Sequence, residues 1–90
     1  MEINGNELKE IGDYEIIDLR DEVEYKKYHL SNSQNVLFSL LLIKPDVYLK
    51  KNKTYLLVCE YGLKSKKVSE ILNNNGYHTY SLSGGIKNII

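Results

Sequence analysis

The sequence contains little of several residue types, and each scarcity narrows the range of possible functions. Its 90 residues include one cysteine, so no internal disulfide can form and a reducing compartment is expected. The formal net charge is +0, which provides no long-range attraction to nucleic acid or to an anionic membrane. No apolar run is long enough to cross a bilayer, and the first residues lack the pattern of a signal peptide. We therefore expect a cytoplasmic protein.

The organisation of the chain is expected to be simple. No Gly/Ser/Pro-rich linker and no internal repeat divide it, so we predict a single domain over residues 1–90. One cysteine and two scattered histidines lack the spacing of metal ligands, so we predict neither a metal nor a cofactor.

Apolar, β-branched runs alternate along the chain with helical patterns. Strands are expected at residue 3 and over residues 14–20, 34–36, 55–58 and 77–82. Helices are expected over residues 7–11 (capped by Asn6), 22–28, 37–43 and 64–74, with single turns at 46–50 and 86–90. This alternation predicts an α/β fold, a parallel sheet of about five strands with helices on both faces.

Cys59 lies where the central strand candidate ends and the longest helix candidate begins. Ligand sites of open α/β sheets are found at such strand ends. A helix start offers unpaired N–H groups and the positive end of a dipole, which together stabilise a thiolate. Lys64 adds a positive charge, and Gly62 allows a tight bend. A lone cysteine is more often a small buried hydrophobe, but such a residue would need none of these neighbours.

Four blocks of the sequence resemble motifs of the rhodanese-like sulfurtransferases, in the family's order. Residues 17–25 resemble D-x-R-x-x-x-E-[FY], residues 29–36 resemble G-H-I-P-G-A-x-N-[IV], residues 59–65 resemble the active loop C-x-x-G-x-[RK]-S, and residues 76–85 resemble G-[YF]-x-x-x-x-L-x-G-G. The resemblance covers nearly the whole chain and implies the rhodanese-like fold. It also implies that Cys59 is the nucleophile that takes a sulfane sulfur as a persulfide and passes it to a thiophilic acceptor.

The resemblance implies a set of substrate-contacting residues around Cys59, namely Glu60, Tyr61, Gly62, Leu63, Lys64, Ser65 and Arg20. The loop amides are expected to converge on the terminal sulfur and on an anionic donor. Lys64 either orients a donor such as thiosulfate or is a solvated cation. Ser65 either donates to the bound anion or caps the helix, and capping is favoured. Glu60 is expected to disfavour a dianionic donor modestly, which favours a small or protein persulfide over free thiosulfate.

Three further residues near the loop are predicted to serve structure. The Asp18 carboxylate is expected to accept loop N–H groups, Glu24 to pair with Arg20, and His29 to bond to backbone in a turn. In some members of the family, the arginine that matches Arg20 helps to bind the donor.

The resemblance also implies partners, and it leaves rival functions open. A small sulfur-donor anion or a protein persulfide is the expected donor. Cyanide, or a thiol such as glutathione or a thioredoxin-like protein, is the expected acceptor of a monomeric enzyme. The rivals are a persulfide carrier, a non-catalytic rhodanese-like binding module, and a cysteine phosphatase or arsenate reductase. The loop of those phosphatases carries arginine six residues after the cysteine, where this chain has Ser65.

Overall fold

Five strands form the centre of the molecule in the computed structural model, which describes residues 1–89. The strands are Glu2–Ile3 (β1), Glu15–Asp18 (β2), Ser33–Asn35 (β3), Thr54–Val58 (β4) and His78–Leu82 (β5). They pair in the order β1-β5-β4-β2-β3, and every pairing is parallel. The sequence prediction of a parallel α/β sheet of about five strands is confirmed, although the strand ends differ by a few residues.

Helical segments connect the strands. The α-helices are Glu22–Lys27 (α1), Phe38–Ile43 (α2), Pro45–Tyr48 (α3) and Leu63–Asn74 (α4), and the 3-10 helices are Gly5–Ile11 and Ile86–Asn88. The final turn was predicted over residues 86–90, and the structure contains it over Ile86–Asn88. Residue 90 lies outside the described part of the chain. Within residues 1–89, no helix is long and apolar enough to cross a membrane.

The first short helix differs from its prediction. Its N-cap is Asn4 rather than Asn6, and the Glu7 carboxylate accepts the backbone N–H of Asn4 at 3.0 Å. A glutamate three residues after the N-cap accepts a backbone N–H that would otherwise be unpaired at the helix start. Glu7 lies three residues after Asn4, so the sequence itself contained a signal for Asn4 as the cap.

Strand β4 lies at the middle of the sheet and is buried on both faces. Leu56, Leu57 and Val58 are fully buried. One face packs against α2, α3 and α4 through a cluster of Ile17, Leu19, Val36, Leu41, Leu49, Tyr55, Leu57, Val68, Leu72 and Tyr77. The other face is covered by the 3-10 helices and by the chain after α1, through Ile3, Leu56, Val58, Leu82 and Ile86, with Leu8, Ile11 and Leu30 against them. A near-continuous apolar run is typical of such a two-sided strand.

The parallel register brings the carboxyl ends of β2 and β4 together. Asp18 is paired with Val58, and the backbone N–H of Leu19 donates to the Val58 carbonyl at 2.9 Å. Residues 19–24, which follow β2, and residues 59–64, which follow β4, therefore meet at one edge of the sheet, where ligand sites of open α/β sheets occur.

Candidate active site

The Cys59 thiol is held by the loop that joins β4 to α4. Its Sγ accepts the backbone N–H groups of Gly62 at 3.2 Å and of Ser65 at 3.3 Å. The residue is 4% exposed, yet it lines a cavity open to the surface. The thiol is thus shielded but reachable, and two backbone donors point at its sulfur.

Gly62 gives the loop its bend and is the N-cap of α4. Its φ of 93° is left-handed, and an added Cβ would lie 2.9 Å from the Gly84 backbone nitrogen. Only glycine fits this conformation and this space. Ser65 is therefore not the helix cap, contrary to the favoured prediction; it lies in the first turn of α4, which begins at Leu63.

The turn after β5 supports the loop from behind. The N–H of Ile86 donates to the Cys59 carbonyl at 2.9 Å, and that of Lys87 donates to the Glu60 carbonyl at 3.0 Å. With both carbonyls held towards this turn, the loop's amides are left to face the sulfur. At Gly85, where φ is 68°, an added Cβ would lie 2.5 Å from the Glu60 oxygen. In the sequence analysis the glycine pair appeared only as the end of a family motif, and this supporting role was missed.

A buried pair of hydroxyl groups lies beneath the thiol. The Ser65 Oγ accepts the Cys59 thiol at 3.3 Å and contacts the Ser81 Oγ at 2.6 Å. Both serines are fully buried. The Ser65 hydroxyl can turn to donate to a thiolate while the Ser81 hydroxyl donates to Ser65, so the pair suits both states of the sulfur. Sequence reasoning missed Ser81, because a serine in a strand gives no local signal of its partner.

Arg20 is held mainly by Asp18, and this arrangement corrects two predictions. The guanidinium Nε and Nη2 each lie 3.0 Å from a carboxylate oxygen of the fully buried Asp18. Asp18 also accepts the Arg20 backbone N–H at 3.0 Å, so it binds Arg20 and not the amides of the Cys59 loop. The hydrogen bonds that the guanidinium donates to Asp18 raise the pKa of Arg20, which keeps the guanidinium charged.

Glu24 and His29 are the other two residues that were predicted to serve structure near the loop. Glu24 forms its ion pair with Lys27 at 3.1 Å and not with Arg20, so that prediction was wrong. The nearer acid, Asp18, is buried at the strand end and engages the guanidinium first. The His29 Nδ1 lies 2.8 Å from the Tyr25 carbonyl, and the His29 ring stacks on the Tyr25 ring, which confirms a turn histidine bonded to backbone.

The cavity at the thiol has a volume of about 420 Å³. It is lined by Leu19, Arg20, Asp21, Glu24, Leu37, Phe38, Cys59, Glu60, Tyr61, Leu63 and Lys64. The structure therefore brings all the sequence-predicted site residues except Asp18, Gly62, Ser65 and His29 to the cavity wall. Two of the lining residues are cations and three are carboxylates, so the wall as a whole is not cationic.

Lys64 and Glu60 have specific partners in this wall. The Lys64 Nζ lies 3.9 Å from the centre of the Phe38 ring, a cation–π contact that places the ammonium beside the cavity. The Glu60 carboxylate lies 3.3 Å from the Lys87 Nζ and 3.8 Å from the Arg20 Nη1. Part of its negative charge is thereby offset. Tyr61 and Leu63 are exposed at the rim, at 65% and 74%.

The fold and the loop define a class: parallel α/β domains with a thiol in an amide-lined loop at the end of the central strand. The chain belongs to the rhodanese-like domain family, whose model matches residues 5–90.

Curated relatives fall into two groups. The tRNA sulfurtransferases of Thermoplasma acidophilum and Pyrobaculum aerophilum are 37% and 40% identical to the chain over 72% and 74% of its length. The chain spans only 13% and 14% of those two proteins. The thiosulfate sulfurtransferase GlpE of Coxiella burnetii is 32% identical over 90% of the chain and 76% of that protein.

Solved structures share the fold over nearly the whole chain. A rhodanese-related protein from Thermoplasma volcanium is similar with a TM-score of 0.87 and 31% identity, covering 97% of this chain and 87% of that one. A protein from Staphylococcus saprophyticus has a TM-score of 0.87 and 27% identity, covering 100% of this chain and 94% of that one. The rhodanese-like fold predicted from the sequence is thus confirmed.

Proposed function

We propose that this protein is a sulfurtransferase that moves a sulfane sulfur through a persulfide on Cys59. The observation that carries the proposal is the loop: two backbone N–H groups point at the Sγ, and the thiol lines a surface cavity with charged walls. A cysteine that only filled the core would need neither the converging donors nor the cavity. The likeness to the thiosulfate sulfurtransferase of Coxiella burnetii supports the same activity.

The reaction divides into two displacements. The Cys59 thiolate attacks the sulfane sulfur of the donor, a bond forms between Sγ and that sulfur, and the donor's own bond to it breaks. The leaving group takes the electron pair: sulfite leaves from thiosulfate, and a thiolate leaves from a persulfide. An acceptor thiolate or cyanide then attacks the outer sulfur, and Cys59 leaves as a thiolate. The N–H groups of Gly62 and Ser65 stabilise the negative sulfur at the start and at the end.

The charges of the cavity wall favour a donor with little negative charge. Arg20 is engaged by Asp18, which leaves Lys64 as the cation with an aromatic contact and no carboxylate partner among the described residues. Asp21 adds negative charge to the wall, and the carboxylates of Glu24 and Glu60 are partly offset by Lys27 and Lys87. Because a wall close to neutral offers a dianion little compensation for its two charges, we propose a persulfide as the preferred donor and thiosulfate as a slower one.

The proposed acceptor is a thiol, either glutathione or the thiol of a thioredoxin-like protein, with cyanide as a laboratory substitute. A reducing compartment such as the cytoplasm would keep Cys59 available for the reaction. We propose that the protein acts as a monomer, because the residues of a single chain are sufficient to line the cavity at the thiol.

The decisive experiment uses the fact that Cys59 is the chain's one cysteine. The purified protein is incubated with thiosulfate or with cysteine persulfide, whose ammonium group offsets its carboxylate, and the intact mass is measured before and after addition of cyanide. We expect a gain of one sulfur atom, its loss to cyanide with release of thiocyanate, and faster loading from the persulfide. The Cys59→Ser variant is the matched control and should gain nothing.

The outcomes separate the rival functions. Sulfur that is gained but is passed only to a protein partner would favour a persulfide carrier. Failure to gain sulfur, with alkylation of Cys59 no faster than that of a free thiol, would favour a binding module. Turnover of an aryl phosphate without sulfur transfer would favour a phosphatase.

A further inference from the structure

A second concave surface adjoins the cavity at Cys59. This apolar groove lies between α2 and α4, has a volume of about 470 Å³, and is lined by Phe38, Leu42, Leu63, Lys67, Val68 and Ile71, with Lys64 at its boundary. Pockets of about 300–1,000 Å³ are typical of ligand sites. Two hydrophobic side chains of the groove, Leu63 and Ile71, are 74% and 47% exposed. Covering their apolar surface with a bound molecule would be favourable.

The groove is continuous with the cavity that contains the thiol. Phe38, Leu63 and Lys64 line both. A molecule that fills the groove therefore reaches the mouth of the Cys59 cavity, so the occupant is expected to be a substrate of that cysteine rather than an unrelated partner.

The chemistry of the walls describes the occupant. Apart from its apolar side chains, the groove contains lysines 64 and 67 and no acidic residue. An occupant that carries both an apolar side chain and a carboxylate would match this surface, whereas a small anion such as thiosulfate has no apolar part to bury.

We propose that this groove is the docking site for a thiol-bearing acceptor protein whose cysteine is flanked by apolar residues and a carboxylate. The apolar residues would pack against Ile71 and Val68, and the carboxylate would meet the Lys67 ammonium. The acceptor's thiol would then lie at the cavity, ready to attack the outer sulfur of Cys59. This inference rests on the proposed sulfur transfer and specifies its acceptor.

The test uses short synthetic peptides and needs no knowledge of the natural partner. One peptide carries a cysteine, two leucines and a glutamate; two others replace the leucines by serines or the glutamate by lysine. The rate at which the loaded protein transfers sulfur to each peptide is compared with the rate to glutathione. We expect the first peptide to be the best acceptor.

Groove variants are compared with controls of the same chemistry elsewhere on the surface. The control for Ile71→Gln is Val23→Gln, because Val23 lies on α1 and is 65% exposed. The control for Lys67→Glu is Lys66→Glu, because the Lys66 Nζ points away from the groove and lies 3.6 Å from the Glu2 carboxylate. We expect Ile71→Gln to slow transfer to the first peptide about five-fold, because docking would bury the rest of this side chain. Lys67→Glu should slow it about three-fold, and added salt should reduce this effect.

Two readouts keep the failure of this inference distinct from failure of the proposed function. Transfer to glutathione and alkylation of Cys59 should be unchanged in all four variants. Binding of a fluorescent version of the first peptide, with serine in place of cysteine, needs no sulfur chemistry and should weaken only in the two groove variants. Equal rates for the three peptides, or equal effects of groove and control substitutions, would overturn the docking site even if Cys59 carries sulfur.

Discussion

Replacement of Gly85 by alanine tests whether the turn after β5 holds the Cys59 loop in place. Gly85 has φ 68° and ψ −167°, a region that costs other residues about 1–3 kcal/mol. Its added Cβ would also lie 2.5 Å from the Glu60 oxygen and 2.6 Å from the Cys59 oxygen. An ordinary contact begins near 3.4 Å, so the loop must retreat by roughly 0.9 Å, at an overpacking cost of about 1–3 kcal/mol.

Gly12 provides a control matched in backbone conformation. It has φ 74° and ψ −146°, and an added Cβ would meet no atom within 4 Å. Gly12→Ala should therefore lose only the conformational cost, about 2 kcal/mol, while Gly85→Ala should lose about 4 kcal/mol. For a domain of this size, each kcal/mol lowers Tm by about 4–8 °C.

The catalytic effect should separate the two variants further. A misplacement of about 1 Å at a reacting group can cost about a hundredfold in rate. Sulfur transfer by Gly85→Ala should fall to that extent at a temperature where the variant is folded, while Gly12→Ala keeps the wild-type rate. Urea denaturation and a single-turnover transfer assay measure the two effects. Equal losses of stability and equal rates in the two variants would refute the argument that the loop is supported from behind.

Three further substitutions test other contacts of the site. Arg20→Gln should cost about 3 kcal/mol, because it leaves the buried Asp18 carboxylate without its partner. The raised pKa of Arg20 means that this stabilisation is present below the unfolded-state pKa and is lost only as the pH rises through the folded-state value; urea midpoints should show the same deficit at about pH 7 and about pH 10. Lys64→Ala should raise the KM for thiosulfate several-fold, and Lys64→Arg should be close to wild type. An unchanged KM in Lys64→Ala would show that Lys64 is a solvated cation with no part in binding the donor. Ser81→Ala removes the hydroxyl that contacts Ser65 at 2.6 Å, so it should lower the free energy of unfolding by about 1 kcal/mol and slow alkylation of Cys59.

Local signals in the sequence were sufficient to place most of the elements and the loop that contains Cys59. The apolar run before Cys59, the glycine three residues after it and the helical pattern beyond predict a strand–loop–helix unit, and the structure contains that unit. These patterns depend only on residues that are close in sequence, so they can be recognised without knowledge of the tertiary contacts.

Contacts between distant segments were beyond the reach of those signals. Ser81 lies sixteen residues from Ser65, and the support from Gly85 to Glu60 depends on how β5 lies beside β4. The partner of Arg20 was mistaken because several acids, among them Asp18 and Glu24, lie close to it in sequence. Burial decides between them, since a carboxylate that is fully buried requires a cation while an exposed one does not.

The hydrogen bonds from Ile86 and Lys87 to the loop carbonyls have a consequence for biosynthesis. The ribosome makes Cys59 before it makes Ile86 and Lys87, and β1 pairs with β5, which follows the other strands of this sheet in the chain. A nascent chain that stops short of Ile86 therefore lacks both hydrogen bonds, and we expect its Cys59 loop to be less ordered. The arrangement of N–H groups around the Sγ should then form only when translation has passed this point.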